Sequence, residues 1–129
     1  LVNGKYASEE IKDHEGVETE FLPKIQQRGA EIIKARGASS ASSAARAACD
    51  TVKAVEHPTR SGDVFNAAVM SDGAYGMPEG IFSGFPLISN GDGSVEIVRD
   101  YNLSPFAKAG LEKTANELLE EKDLVKDLI

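Results

Sequence analysis

The chain has 129 residues, with 14 Lys and Arg against 21 Asp and Glu, and a formal net charge of −7. Hydrophobic residues make up 41% and charged residues 27%, which is globular composition at a length suited to one ordinary domain. The acidic balance argues against a nucleic-acid or anionic-membrane partner, no apolar run approaches the ~20 residues of a membrane span, and a single cysteine points to a reducing compartment.

The chain opens on Leu1 and not on methionine, with no secretory-leader pattern, which reads as a processed protein or a piece of a longer one. Asn3-Gly4 signals a tight turn, as in a hairpin. Glu9, Glu10, Asp13, Glu15, Glu18 and Glu20 then crowd a stretch that reads as a solvated helix start. From Phe21 a helical period appears, with Phe21, Leu22, Ile25, Ile32 and Ile33 largely on one face. Gly29 inside that helix costs about 1 kcal/mol relative to alanine, which calls for a close neighbour. Gly37 is placed to stop the helix.

"RGASSASSAARAACD" comes next and looks like a flexible linker. Yet Ala41, Ala44, Ala45, Ala48, Cys49, Val52 and Val55 hold a helical stripe, and a linker has no reason to keep phase. Ser39 or Ser40 suits the N-cap. The stripe reads as a tight packing face, with Cys49 a buried, inert thiol.

His57 to Gly62 is a loop. "DVFNAAVMS" alternates like a strand, "DGAYGMPEG" is a Gly-rich connection, and "IFSGFPLIS" is a second strand whose Pro86 predicts an edge or a bulge. "NGDG" is a hairpin turn leading to a third strand, "SVEIVRD". Ser104 and Pro105 open a final helix with Leu111, Ala115, Leu118 and Leu119 on its inner face. The order is two helices, an antiparallel meander and one helix: an α+β fold.

Chemistry-bearing motifs are sparse. His14 and His57 read as solvated histidines without partners at metal-ligand spacing. Gly73, Gly76 and Gly80 lie between antiparallel strands and do not spell a dinucleotide cradle. The serines have no nucleophile context, and no catalytic or metal-ligating residue is assigned.

The run "FLPKIQQRGAEIIKARGASSASSAARAACD" resembles the C-terminal, substrate-binding domain of NAD-dependent malate dehydrogenases, nearest to the cytosolic type. "MSDGAYGMPEGIFSGFP" and "FAKAGLEKTANELLEEK" are similar to later segments of the family, in the same order. Ala38 departs from the larger aliphatic residue usual there. The resemblance implies helices packed on an antiparallel sheet, with residues 1–129 as one C-terminal domain. The nucleotide-binding half, the dicarboxylate-binding arginines and the catalytic histidine and aspartate would precede Leu1. It implies that Ser39 lines the substrate pocket and that Ser40 and Ala41 face the nicotinamide of NAD. Malate and oxaloacetate would be the substrates, the cytoplasm the location and a homodimer the assembly. Alone, the chain would be inactive and would self-associate through the alanine stripe or the strand around Phe82 and Phe85. Two rival readings are a non-catalytic binding or assembly module of the same fold and another 2-hydroxyacid dehydrogenase.

Overall fold

The computed structural model describes Lys5 and residues 7–128, without the side chains of Ser8 and Glu9. The Asn3-Gly4 turn lies outside the described residues. The chain divides into two compact units, Leu1–Ala45 and Arg46–Ile129.

The first unit is helical. Helix α1 covers Ala7–Glu10 and α2 covers His14–Gly16, and a π-helical turn at Val17–Phe21 leads into α3, Leu22–Arg36. The backbone stays right-handed helical at Gly16, Val17, Phe21 and Leu22, so one helical run extends from His14 to Arg36. It begins earlier than the apolar period suggests. Asp13 sets the start by accepting the Gly16 amide at 2.8 Å. A Cβ on Gly16 would lie 2.2 Å from Asp13 Oδ2, so a larger residue there would push the Asp13 carboxylate out of its present position. Pro23 accounts for the π turn. It has no amide to donate and its ring crowds the carbonyl of Thr19 one turn back. Widening the preceding turn resolves the clash, with the Leu22 amide reaching back to Val17 O.

The expected apolar face of α3 is partly realised. Leu22 and Ile32 are half-buried, while Phe21, Ile25 and Ile33 are 56%, 55% and 51% exposed. A Cβ on Gly29 would meet nothing within 4 Å, so the expected close neighbour is not there among the described residues.

Helix α4 spans Ser42–Glu56. The alanine stripe is helical, as its phase requires, but it is exposed as far as Val52; only Ala54 and Val55 are half-buried. Cys49 is exposed, which corrects the expectation of a buried thiol. Periodicity identifies which face of a helix is apolar. It does not say whether the covering element lies in the same chain.

The second unit holds a three-stranded antiparallel sheet of order β1-β2-β3: Phe65–Met70, Phe82–Ser89 and Val95–Ile97. Phe65 pairs with Leu87 and Met70 with Phe82, while Leu87 pairs with Ile97 on the other side. Helix α5, Pro105–Leu124, is capped by Ser104, whose Oγ accepts the Ala107 amide at 3.1 Å. Its Leu111, Ala115 and Leu118 pack on a core of Met77, Ile81, Phe85 and Leu87. Leu119, expected on that face, is exposed. At 100° per residue it lies on one flank of the stripe, about 80° from Leu111 and 100° from Leu118. Phe85 is 2% exposed and belongs to the core, so it cannot serve the surface role expected of it, whereas Phe82 is exposed.

Two connections complete the unit. The Gly-rich segment after β1 folds into a 3₁₀ turn at Ala74–Gly76 and buries Ala74, Met77 and Ile81. Ser71 Oγ accepts from Gly73 N and donates to Met77 O, and Arg99 pairs with Asp72. At the other end of the sheet, Ser89 ties β2 to the C-terminus of α4. Its Oγ donates to Val55 O at 2.6 Å, and its amide donates to Thr59 Oγ1 at 2.7 Å.

Candidate functional site

The residues expected to meet substrate and cofactor fall together in the connection from α3 to α4. Gly37 ends α3 in the left-handed conformation (φ 72°), its amide donating to Ile33 O at 2.8 Å. Lys34 and Arg36 stand in the last turn, where positive charge complements the helix dipole. Ser39 and Ala41 are exposed and Ser40 is half-buried.

The serines do not cap α4 in the expected way. Ser40 O accepts the Ser43 amide at 3.0 Å, and Ala41 O accepts the Ala45 amide at 2.9 Å, so α4 starts just beyond them. Ser40 Oγ instead pairs with Ser43 Oγ at 2.6 Å. The amides of Ser42 and Ala44 have no intrachain partner among the described residues. The site therefore offers exposed hydroxyls and unpaired amides at the N-terminus of a fifteen-residue helix. Such a donor set suits a carboxylate or a carboxamide. Ala41 and Ala44 extend nothing beyond Cβ, which leaves room for a flat ring. The fit is to one edge of a ligand.

His14 and His57 are both exposed. Among the described residues no three His, Cys, Asp or Glu side chains gather as a metal site, and no helix is long and apolar enough to cross a membrane.

A second concavity, of about 400 Å³, lies wholly in the second unit, between β2 and the first half of α5. Tyr75, Phe85, Pro86, Tyr101, Leu103 and Leu111 are among its lining residues. The walls are almost all carbon, so it offers shape and no acid–base chemistry. Sequence reading missed it because its lining comes from four separate segments.

Residues 3–129 match the family model of the lactate/malate dehydrogenase alpha/beta C-terminal domain. The chain belongs to this family. Over 128 residues it is 48% identical to the malate dehydrogenase of Magnetococcus marinus (strain ATCC BAA-1437 / JCM 17883 / MC-1), covering 99% of this chain and 39% of that protein. The crystal structure of malate dehydrogenase from Naegleria fowleri superposes with a TM-score of 0.86 at 35% identity, covering 98% of this chain and 38% of that one. Trichomonas vaginalis lactate dehydrogenase, solved with NADH and oxamate, matches with a TM-score of 0.82 at 28% identity over 92% of this chain and 36% of its own. The α+β fold expected from the sequence is thus the fold of the C-terminal domain in this family. The chain spans about two fifths of the relatives it matches.

Proposed function

We propose that this chain is the substrate-side domain of an NAD-dependent malate dehydrogenase that interconverts malate and oxaloacetate. The 48% identity to a malate dehydrogenase across nearly the whole chain carries the reading. Ser39 would face the dicarboxylate, and Ser40 and Ala41 the nicotinamide end of the dinucleotide. Hydride exchange at the alcohol carbon is the chemistry that bound NAD supplies. The work of this chain is to bind and orient. The hydroxyls and unpaired amides before and within the first turn of α4 hold an anionic or amide group, and the alanines keep the adjoining space clear. The catalytic acid–base pair and most dinucleotide contacts would come from the rest of the protein. We further propose a cytoplasmic location and a homodimer, both resting on the family resemblance.

The test is steady-state kinetics of the full-length protein with NADH and either oxaloacetate or pyruvate. Preferred turnover of oxaloacetate supports the reading; no turnover of either substrate would sink it. Preference for pyruvate would support a second reading, a lactate-type 2-hydroxyacid dehydrogenase, as in the Trichomonas relative at 28% identity.

A further inference from the structure

The Asn90-Gly91-Asp92-Gly93 turn joins β2 to β3 and plays no part in the proposed site. Asn90 is exposed, and Gly91 (φ 82°) follows it with no side chain to shield the main chain. That pairing brings a backbone nitrogen next to a carboxamide carbon. In the closed turn both reacting groups are engaged. Asn90 Nδ2 donates to Ser94 Oγ at 3.2 Å and to Glu96 Oε1 at 3.1 Å. The Gly91 amide donates to Ser89 Oγ at 3.0 Å.

We propose that Asn90 is a site of spontaneous deamidation, gated by opening of this turn, and that the product unpairs β3. When the turn opens, Gly91 N attacks Asn90 Cγ. The N–Cγ bond forms, the Cγ–Nδ2 bond breaks, and the amide proton leaves with ammonia. Water then opens the cyclic imide at either carbonyl, giving aspartate or isoaspartate. Nothing is oxidised or reduced.

The product cannot restore the old contacts. A carboxylate replaces the group that donated to Glu96, so two negative charges meet where a donor and an acceptor stood. Glu96 is the middle residue of the three-residue β3, paired with Ile88. Repulsion there acts on the whole strand. The isoaspartate form also inserts a main-chain carbon beside Gly91, which has no slack: a Cβ on Gly91 would lie 2.6 Å from Pro58 Cδ.

The experiment follows Asn90 by peptide mapping with isoaspartate detection while the intact protein stands at mildly alkaline pH. Removing the charge-assisted bond with Glu96→Ala should raise the conversion rate about tenfold through easier opening. Ser94→Ala, which releases the other bond, serves if the first variant does not fold. An Asn90 that stays intact in these folded variants, or that converts no faster than in the parent, overturns the gating. Thermal melting tests the consequence. Asn90→Asp should lower Tm, and adding Glu96→Gln, which restores a donor opposite the new carboxylate, should recover it. An Asn90→Asp protein that melts with the parent, or one that Glu96→Gln fails to rescue, overturns the unpairing.

Discussion

The Tyr75 hydroxyl donates to the Val98 carbonyl at 2.5 Å, the acceptor left without a ladder partner by Pro86. Val98 N donates to Pro86 O at 2.9 Å, so an ordinary residue at 86 would return its own amide to Val98 O. Proline has none. The side chain of Tyr75 fills the gap from the Gly-rich connection, where its backbone holds the left-handed conformation (φ 55°) unusual for a residue with a Cβ. Pro86 thereby sits in the central strand and not at the edge that its identity suggested.

Tyr75→Phe should then destabilise the protein by about 1–2 kcal/mol, the cost of leaving an acceptor unsatisfied. In a Pro86→Ala background the restored amide can serve Val98 O, and the same substitution should cost less. Denaturant melts of the four proteins in this cycle measure the coupling, and equal costs in both backgrounds would show that the hydroxyl does not replace the amide.

Leu87 is fully buried at the centre of the sheet, between Phe65 on β1 and Ile97 on β3. Leu87→Ala should cost about 2–5 kcal/mol, from lost transfer free energy and the cavity left behind. Chemical denaturation is the measure. A loss under about 1 kcal/mol would mean that the core collapses freely around this position.

Much of the fold was legible because local signals agreed with the global answer. Ser104-Pro105, the NGDG turn and the alternation of Phe65, Ala67 and Val69 each act over a few residues and each appear as read. The misreadings have a common cause. Pro86 predicts an edge or a bulge only while its missing amide is counted without the distant Tyr75 that compensates for it. The stripe points Cys49 inward but does not reveal its cover, and Cys49 is exposed. The acidic stretch before Phe21 reads as a helix start and is one, with Asp13 accepting the Gly16 amide; only the apolar period, which begins at Phe21, points to a later start. The Ser39–Ala41 segment was legible as a place, since Gly37 and the onset of the stripe bracket it. Its chemistry was not, because hydroxyls and amides at a helix start acquire a role only from the ligand set against them.

Ser39→Leu in the full-length protein should lower kcat/KM for oxaloacetate by about a hundredfold or more, since a branched side chain would occupy ligand space and misalign the reacting atoms. Folding should survive, because Ser39 is exposed and its side chain makes no hydrogen bond among the described residues. Kinetics equal to the unmutated enzyme would remove Ser39 from the pocket.

Asp92 should titrate below its ordinary 3.8, held down first by the Ser94 hydroxyl and then by the Ser94 backbone amide. A carboxyl depressed in the folded state contributes stability above its unfolded pKa and loses it as pH falls through the folded value. The contribution of this turn should therefore persist at neutral pH and fade only below 3.8. Carboxyl NMR titration of the folded chain checks the direction, and Ser94→Ala should raise the value. A carboxyl that titrates at or above 3.8 would contradict the hydrogen bonding seen here.

The isolated chain should self-associate. Phe21, Ile25 and Ile33 on α3 are each more than half exposed, as is Val52 on α4, and Phe82 stands exposed on β2. The alanine stripe of α4 is open along Ala41, Ala44, Ala45 and Ala48, a face on which another backbone can approach closely. Apolar faces of this kind seek a partner once contiguous area exceeds a few hundred Å². Strand β1 adds a sheet edge whose six residues carry no charge, so nothing on it repels a second strand. The net charge of −7 opposes association, and added salt screens that repulsion over about 10 Å at 0.1 M. Association should therefore strengthen with both protein and salt concentration. Substituting charges on the α3 face, as in Ile25→Lys with Ile33→Glu, should weaken it without unfolding the second unit, whose core contains neither residue. Sedimentation velocity across a salt series is the measurement, and a monomer at every concentration and ionic strength would defeat the claim.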